Sequence, residues 1–97
     1  MRVYHRTNAA QTILQRGFRD GKGCYLTDSI HTGVWVSDVP LDENEGACGD
    51  SLITLEIPEE LFAQHEWIEE FKTYREALIP AKLLNRYLQS ASLEVGE

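Results

Sequence analysis

Gly33-Val34-Trp35-Val36-Ser37-Asp38 is the stretch on which the fold turns. Its β-branched and aromatic residues suit a pleated, half-buried surface. Strand alternation puts Val34 and Val36 on one side, Trp35 and Ser37 on the other. The run from Pro40 to Asp50 is rich in Asp, Glu, Asn and Gly and reads as a surface loop. Beyond it, Ser51 to Ile57 alternates cleanly, with Ile53, Leu55 and Ile57 opposed to Leu52, Thr54 and Glu56. Upstream, Asp20-Gly21-Lys22-Gly23 makes a turn, and Tyr25-Leu26-Thr27 is a further short strand. Arg2 to Arg6 also alternates, so Val3 and His5 share a face while Tyr4 and Arg6 share the other.

Between the strands lie short helices. Thr7 or Asn8 can cap a helix that runs through Arg16 with Ala10, Ile13 and Leu14 inward. Gly17 stands where a helix end wants a left-handed residue, and Phe18 can fold apolar surface back behind it. Pro58-Glu59-Glu60 opens a second helix with acids in its first turn, which suits the macrodipole. His65 to Ile68 returns to strand composition. Tyr74 to Ile79 is another strand, stopped by Pro80, and Pro80 to Asn85 is a short C-terminal helix. The expectation is an α+β chain: one small domain over residues 1–88, with short, mostly antiparallel strands, and a frayed tail over 89–97.

Composition narrows the function. With 97 residues, 42% hydrophobic and 26% charged, the chain is a folded single domain rather than a disordered one. A pI near 4.9 disfavours a strongly basic nucleic-acid module. No run approaches the roughly 18–20 apolar residues of a membrane span, and MRVYHRT lacks a secretory signal's apolar stretch, so a cytoplasmic protein is expected. Cys24 and Cys48 then read as reduced thiols. The net charge of −7 is unevenly spread. Residues 1–22 carry +4, residues 23–71 carry −12 with no Lys or Arg, and residues 72–97 carry +1. The acidic 38–70 surface could meet a basic protein partner, while the early bases could hold an anionic ligand. Phosphate-loop, dinucleotide-loop, zinc and calcium motifs are missing from the sequence, and no metal site is expected.

What remains is an order of residues. His5 ends a first strand and is followed by Arg6, Thr7 and a helix reading Ile13-Leu14-x-x-Gly17-Phe18. The Gly33–Asp38 strand comes next, and Tyr74-Arg75-Glu76-Ala77-Leu78-Ile79-Pro80 presents a single carboxylate late in the chain. This order resembles the ADP-ribosyltransferase superfamily, in its poly(ADP-ribose) polymerase and diphtheria-toxin-like branch, over roughly residues 3–84. That branch uses a His, an aromatic and a Glu on successive strands. The resemblance implies short strands in two packed sheets, NAD as substrate, and transfer of ADP-ribose to a protein or nucleic-acid acceptor by a modifying factor or toxin.

It also implies roles. Cleavage of the nicotinamide glycosidic bond passes through an oxocarbenium-like state, and a fixed carboxylate stabilises the growing charge on the ribose. Glu76 is the candidate, with His5 as hydrogen-bond partner of a ribose hydroxyl. Trp35 or Tyr25 offers the face on which nicotinamide stacks. Arg6, with Thr7 and Ser37 nearby, completes the cofactor-binding set, the guanidinium serving the pyrophosphate. Two other readings stay open: an RNA 2′-phosphotransferase-like member of the same superfamily, and a non-catalytic interaction module.

Overall fold

A computed structural model describes residues 1–20, 33–41 and 49–94. In chain order its elements are β1 (Arg2–Thr7), α1 (Ala10–Arg16), β2 (Val34–Ser37), β3 (Ser51–Glu56), α2 (Glu59–Gln64), β4 (Glu66–Trp67), β5 (Glu76–Ile79), α3 (Ala81–Leu84), a 3₁₀ turn (Asn85–Ser90) and β6 (Ser92–Glu94). The six strands form a single sheet of order β4-β5-β2-β1-β3-β6, and every pairing is antiparallel. The α+β expectation is met at that level. Among the described residues the strands form this one sheet rather than the two packed sheets expected. The strands join edge to edge, although the β1–β2 join is narrow, in register at the single position Tyr4↔Ser37.

The pairing explains which residues are buried. Val3 lies opposite Leu55, Val34 opposite Ile79 and Val36 opposite Ala77, so these residues with Ile53 line one face. Against them pack Ala10 and Ile13 of α1, Phe62 of α2, and Ala81 and Leu84 of α3, giving one continuous core. Each fully buried aliphatic or aromatic side chain here contributes about 1.5–3 kcal/mol. The other face carries Tyr4, Arg6, Trp35, Ser37, Leu52, Thr54, Trp67, Glu76 and Leu78. It is only partly covered: Trp35 and Leu78 are half-buried, whereas Leu52, Ser37 and Glu76 are buried.

Local chemistry sets the ends of the helices. Gly17 takes φ 96°, a conformation that costs glycine little, and its N–H bonds the Ile13 carbonyl at 2.7 Å. Phe18 then turns inward, held on both backbone groups by Asn85, whose Oδ1 accepts its N–H at 2.7 Å and whose Nδ2 donates to its carbonyl at 3.1 Å. The Asp20 carboxylate accepts the Ala81 N–H at 2.8 Å and so caps α3 from a distance in sequence. Within the segment expected as a frayed tail, Ser92–Glu94 instead form β6. Leu93 lies opposite Ile53, and the Thr54 and Ser92 hydroxyls share a 2.8 Å hydrogen bond. Three residues suffice there because β3 offers an open edge that pairing satisfies.

Candidate functional site

Strands β1, β2 and β5 are far apart in sequence and consecutive in the sheet. They carry His5, Trp35 and Glu76 respectively. Ser37 is the hinge of the arrangement, lying opposite both Tyr4 on β1 and Glu76 on β5. Past that point β1 and β2 leave register. The His5 imidazole fills the gap: its Nδ1 lies 2.7 Å from the Trp35 carbonyl oxygen. A carbonyl can only accept, so Nδ1 carries the proton and does what a strand N–H would otherwise do. The ring also meets Phe18 edge-on at 5.6 Å. Burial pushes the His5 pKa below its ordinary value near 6.5, and the bond to Trp35 offsets this only in part. The neutral ring therefore keeps Nε2 as a lone-pair acceptor.

By strand alternation His5 and Thr7 belong to the face of Val3, whereas Arg6, Trp35, Ser37 and Glu76 belong to the opposite face. The structure therefore does not bring His5 onto the face of Trp35 and Glu76: its ring is bonded to the Trp35 backbone carbonyl and packs against Phe18 of the core. Glu76 is 1% exposed and forms an ion pair with Lys72. Lys72 Nζ also lies 3.4 Å from a Glu69 carboxylate oxygen and 5.3 Å from the Tyr74 ring centre. Burial works to lower the Lys72 pKa, but the hydrogen bond and charge of Glu76, with Glu69 and Tyr74, outweigh it and hold the pKa above its ordinary value. Opposite Glu76 across the β4–β5 pairing stands Trp67, whose ring meets Trp35 edge-on at 5.6 Å. Its indole N–H donates to the same Glu69 oxygen that faces Lys72, at 2.7 Å.

The approach to Glu76 is tied down by Arg75 and Asp38. The Asp38 N–H donates to the Arg75 carbonyl at 3.0 Å, and its carboxylate accepts the Arg75 N–H at 2.9 Å, which prolongs the β2–β5 ladder by one step. The Arg75 guanidinium grips both oxygens of Glu66, at 3.1 and 2.8 Å, reaches Glu59 at 2.9 Å, and lies over the Phe62 ring at 4.9 Å. Its pKa is raised, first by the hydrogen bond to Glu66, and the same bond lowers that of Glu66. Such a two-pronged grip fixes geometry as well as charge.

The remaining expected residues fare differently. Arg6 donates from Nε to the Leu41 carbonyl at 2.5 Å, and its Nη groups bond no described residue. The Thr7 hydroxyl accepts the Ala9 N–H at 3.0 Å, which turns the chain into α1. Immediately behind Thr7 sits Gly49, at φ 134°, so close that a side chain there would overlap the Thr7 backbone. Ser37 donates its hydroxyl to the Val39 carbonyl at 2.6 Å. Tyr25, the alternative stacking aromatic, lies outside the described residues, as do Lys22, Cys24 and Cys48.

Sequence reasoning missed Lys72, Glu69 and Trp67. Their only signal was the spacing of a lysine three residues after one carboxylate and four before another. Among the described residues no group of three or more His, Cys, Asp or Glu could hold a metal ion, and no helix is long and apolar enough to cross a membrane. Compared with known proteins, the chain matches no family model, no curated protein and no solved structure.

Proposed function

We propose that this chain is an ADP-ribosyltransferase-like protein that binds NAD, cleaves its nicotinamide glycosidic bond and passes ADP-ribose to a protein or nucleic-acid acceptor. The observation that carries this reading is the placement of His5, Trp35 and Glu76 on three consecutive strands, with Trp35 and Glu76 on one face and the His5 imidazole bonded to the Trp35 backbone where β1 and β2 part. Nicotinamide would stack on the partly open Trp35 ring. Glu76 would take the ribose hydroxyls, and His5, on the other face, would hold the Trp35 backbone in place. The Arg6 Nη groups would serve the pyrophosphate. When the C1′–N bond breaks, its electron pair leaves with nicotinamide, and Glu76 faces the positive charge left on the ribose. The acceptor then attacks C1′ and releases a proton.

The test is titration calorimetry with NAD, together with nicotinamide release by wild type and by Glu76→Gln. Binding and release that the substitution abolishes would support the reading; a wild-type protein that does neither would sink it. One observation favours a second reading, an interaction module that uses the acidic 38–70 surface. Ile68 and Phe71 are 85% and 98% exposed beside Glu69 and Glu70, an arrangement suited to a basic, partly apolar partner. Intact cellular function in Glu76→Gln would favour it.

A further inference from the structure

Glu76 is a buried carboxylate on the partly open face of the sheet, and its resting counter-ion Lys72 is shared. The ammonium touches Glu76 on one side, stands 3.4 Å from Glu69 on another, and faces the Tyr74 ring. The Lys72 side chain is 14% exposed, and that of Glu69 is 51% exposed. Glu69 is no loose surface acid, because the Trp67 indole N–H pins the oxygen that faces Lys72. Trp67 in turn rests edge-on against Trp35. Glu76, Lys72, Glu69, Trp67 and Trp35 thus form one continuous path from the candidate carboxylate to the candidate stacking ring.

We infer that Lys72 is a positioning residue that hands over: it holds the Glu76 carboxylate oriented in the free protein, and moves to Glu69 and the Tyr74 ring when NAD arrives. This rests on the NAD reading of the site. The physical need is clear. The oxygens of a buried carboxylate need partners, and Lys72 supplies one to Glu76. The same cation left in place would oppose the positive charge that grows on the ribose and would compete with the ribose hydroxyls for Glu76. A second carboxylate within one side-chain swing, fixed by an indole that touches the stacking ring, gives the ammonium somewhere to go. Its presence distinguishes a hand-over from a static ion pair.

Glu69→Gln is the decisive variant, since Glu69 is exposed and Gln keeps an oxygen that accepts the Trp67 N–H. Steady-state nicotinamide release over a range of NAD should show KM raised about three- to tenfold with kcat within twofold, because the lysine has lost its second seat. Trp67→Phe keeps the ring contact but removes the N–H, and should move KM in the same direction. Lys72→Arg should keep activity within about threefold, whereas Lys72→Met should lower kcat at least tenfold. Unchanged KM in both Glu69→Gln and Trp67→Phe, in a wild type that does release nicotinamide, would overturn the hand-over and leave the NAD reading standing. A wild type without binding or release overturns both. In that case the ¹³Cε titration of Lys72, with and without Glu76→Gln, still reports whether the ion pair exists.

Discussion

Replacing His5 offers a sharp trial of the geometry, because its role as a substitute backbone donor has a calculable cost. In His5→Ala the Trp35 carbonyl loses its partner where β1 and β2 part, which costs about 1–3 kcal/mol. The edge contact with Phe18 is worth about 0.5–1.5 kcal/mol more. A combined loss of about 1.5–4.5 kcal/mol is a large share of a small domain's stability and should lower Tm by on the order of 6–36 °C. Asn at this position can still donate an N–H, so His5→Asn should recover part of the loss.

The pH dependence separates this account from a simple packing role. The native imidazole resists protonation because it is buried, whereas the unfolded chain takes up a proton below the ordinary value near 6.5. The His5 contribution is therefore fully present above about pH 6.5. It falls as pH drops from there toward the depressed native pKa, by at most about 1.4 kcal/mol per pH unit, and levels off below it. His5→Asn cannot titrate, yet it keeps every carboxylate. Urea unfolding of both proteins at pH 7.5, 6.5 and 5.5 should show wild type losing its advantage as pH falls. A wild-type advantage that stays constant or grows toward pH 5.5 would refute the neutral, Nδ1-donating imidazole.

Two other outcomes follow from local geometry. Asn85→Ala removes both hydrogen bonds to the Phe18 backbone and should cost about 2–3 kcal/mol in urea unfolding, with Asn85→Asp losing less because it keeps the acceptor. Phe71 sits at φ 64° with its side chain almost wholly exposed, so Phe71→Gly relieves backbone strain of roughly 1 kcal/mol, partly offset by chain entropy. Its Tm should equal or exceed that of wild type, and a clear loss would mean that the ring packs against the protein.

Much of the fold was legible because short-range signals carried it. The alternation of Val34 to Ser37 and of Ser51 to Glu56, Pro58 ahead of α2, Pro80 ahead of α3 and Gly17 after α1 all act within a few residues of where they are read. β6 was not legible, since Ser92-Leu93-Glu94 is too short to show a period and becomes a strand only against the edge of β3. Nor could spacing reveal the order of strands in the sheet, which depends on partners 30 or more residues away, such as His5 and Trp35. For the candidate site, the residue types were readable and their relations were not. Of the early bases, Arg2 pairs with Glu56 and Arg6 turns to a carbonyl. Lys72, a cation that does reach Glu76, lies four residues upstream on the same segment.

That last contact is the reason to treat the partly open face as a site rather than as leftover surface. The neighbours of Glu76 on this face include Trp35, Trp67 and Leu78, among which an apolar side chain would sit without penalty. A buried ion pair adds little to stability, because desolvation offsets most of the attraction, and well-packed apolar residues often do as well or better. Stability therefore gives no reason for a carboxylate at position 76. Registry gives none either, for β5 is already fixed by four paired positions to β2 and by the Asp38–Arg75 clamp. A carboxylate kept in the interior against these alternatives, with a cation that has a second seat nearby, is the arrangement the proposed NAD site would use.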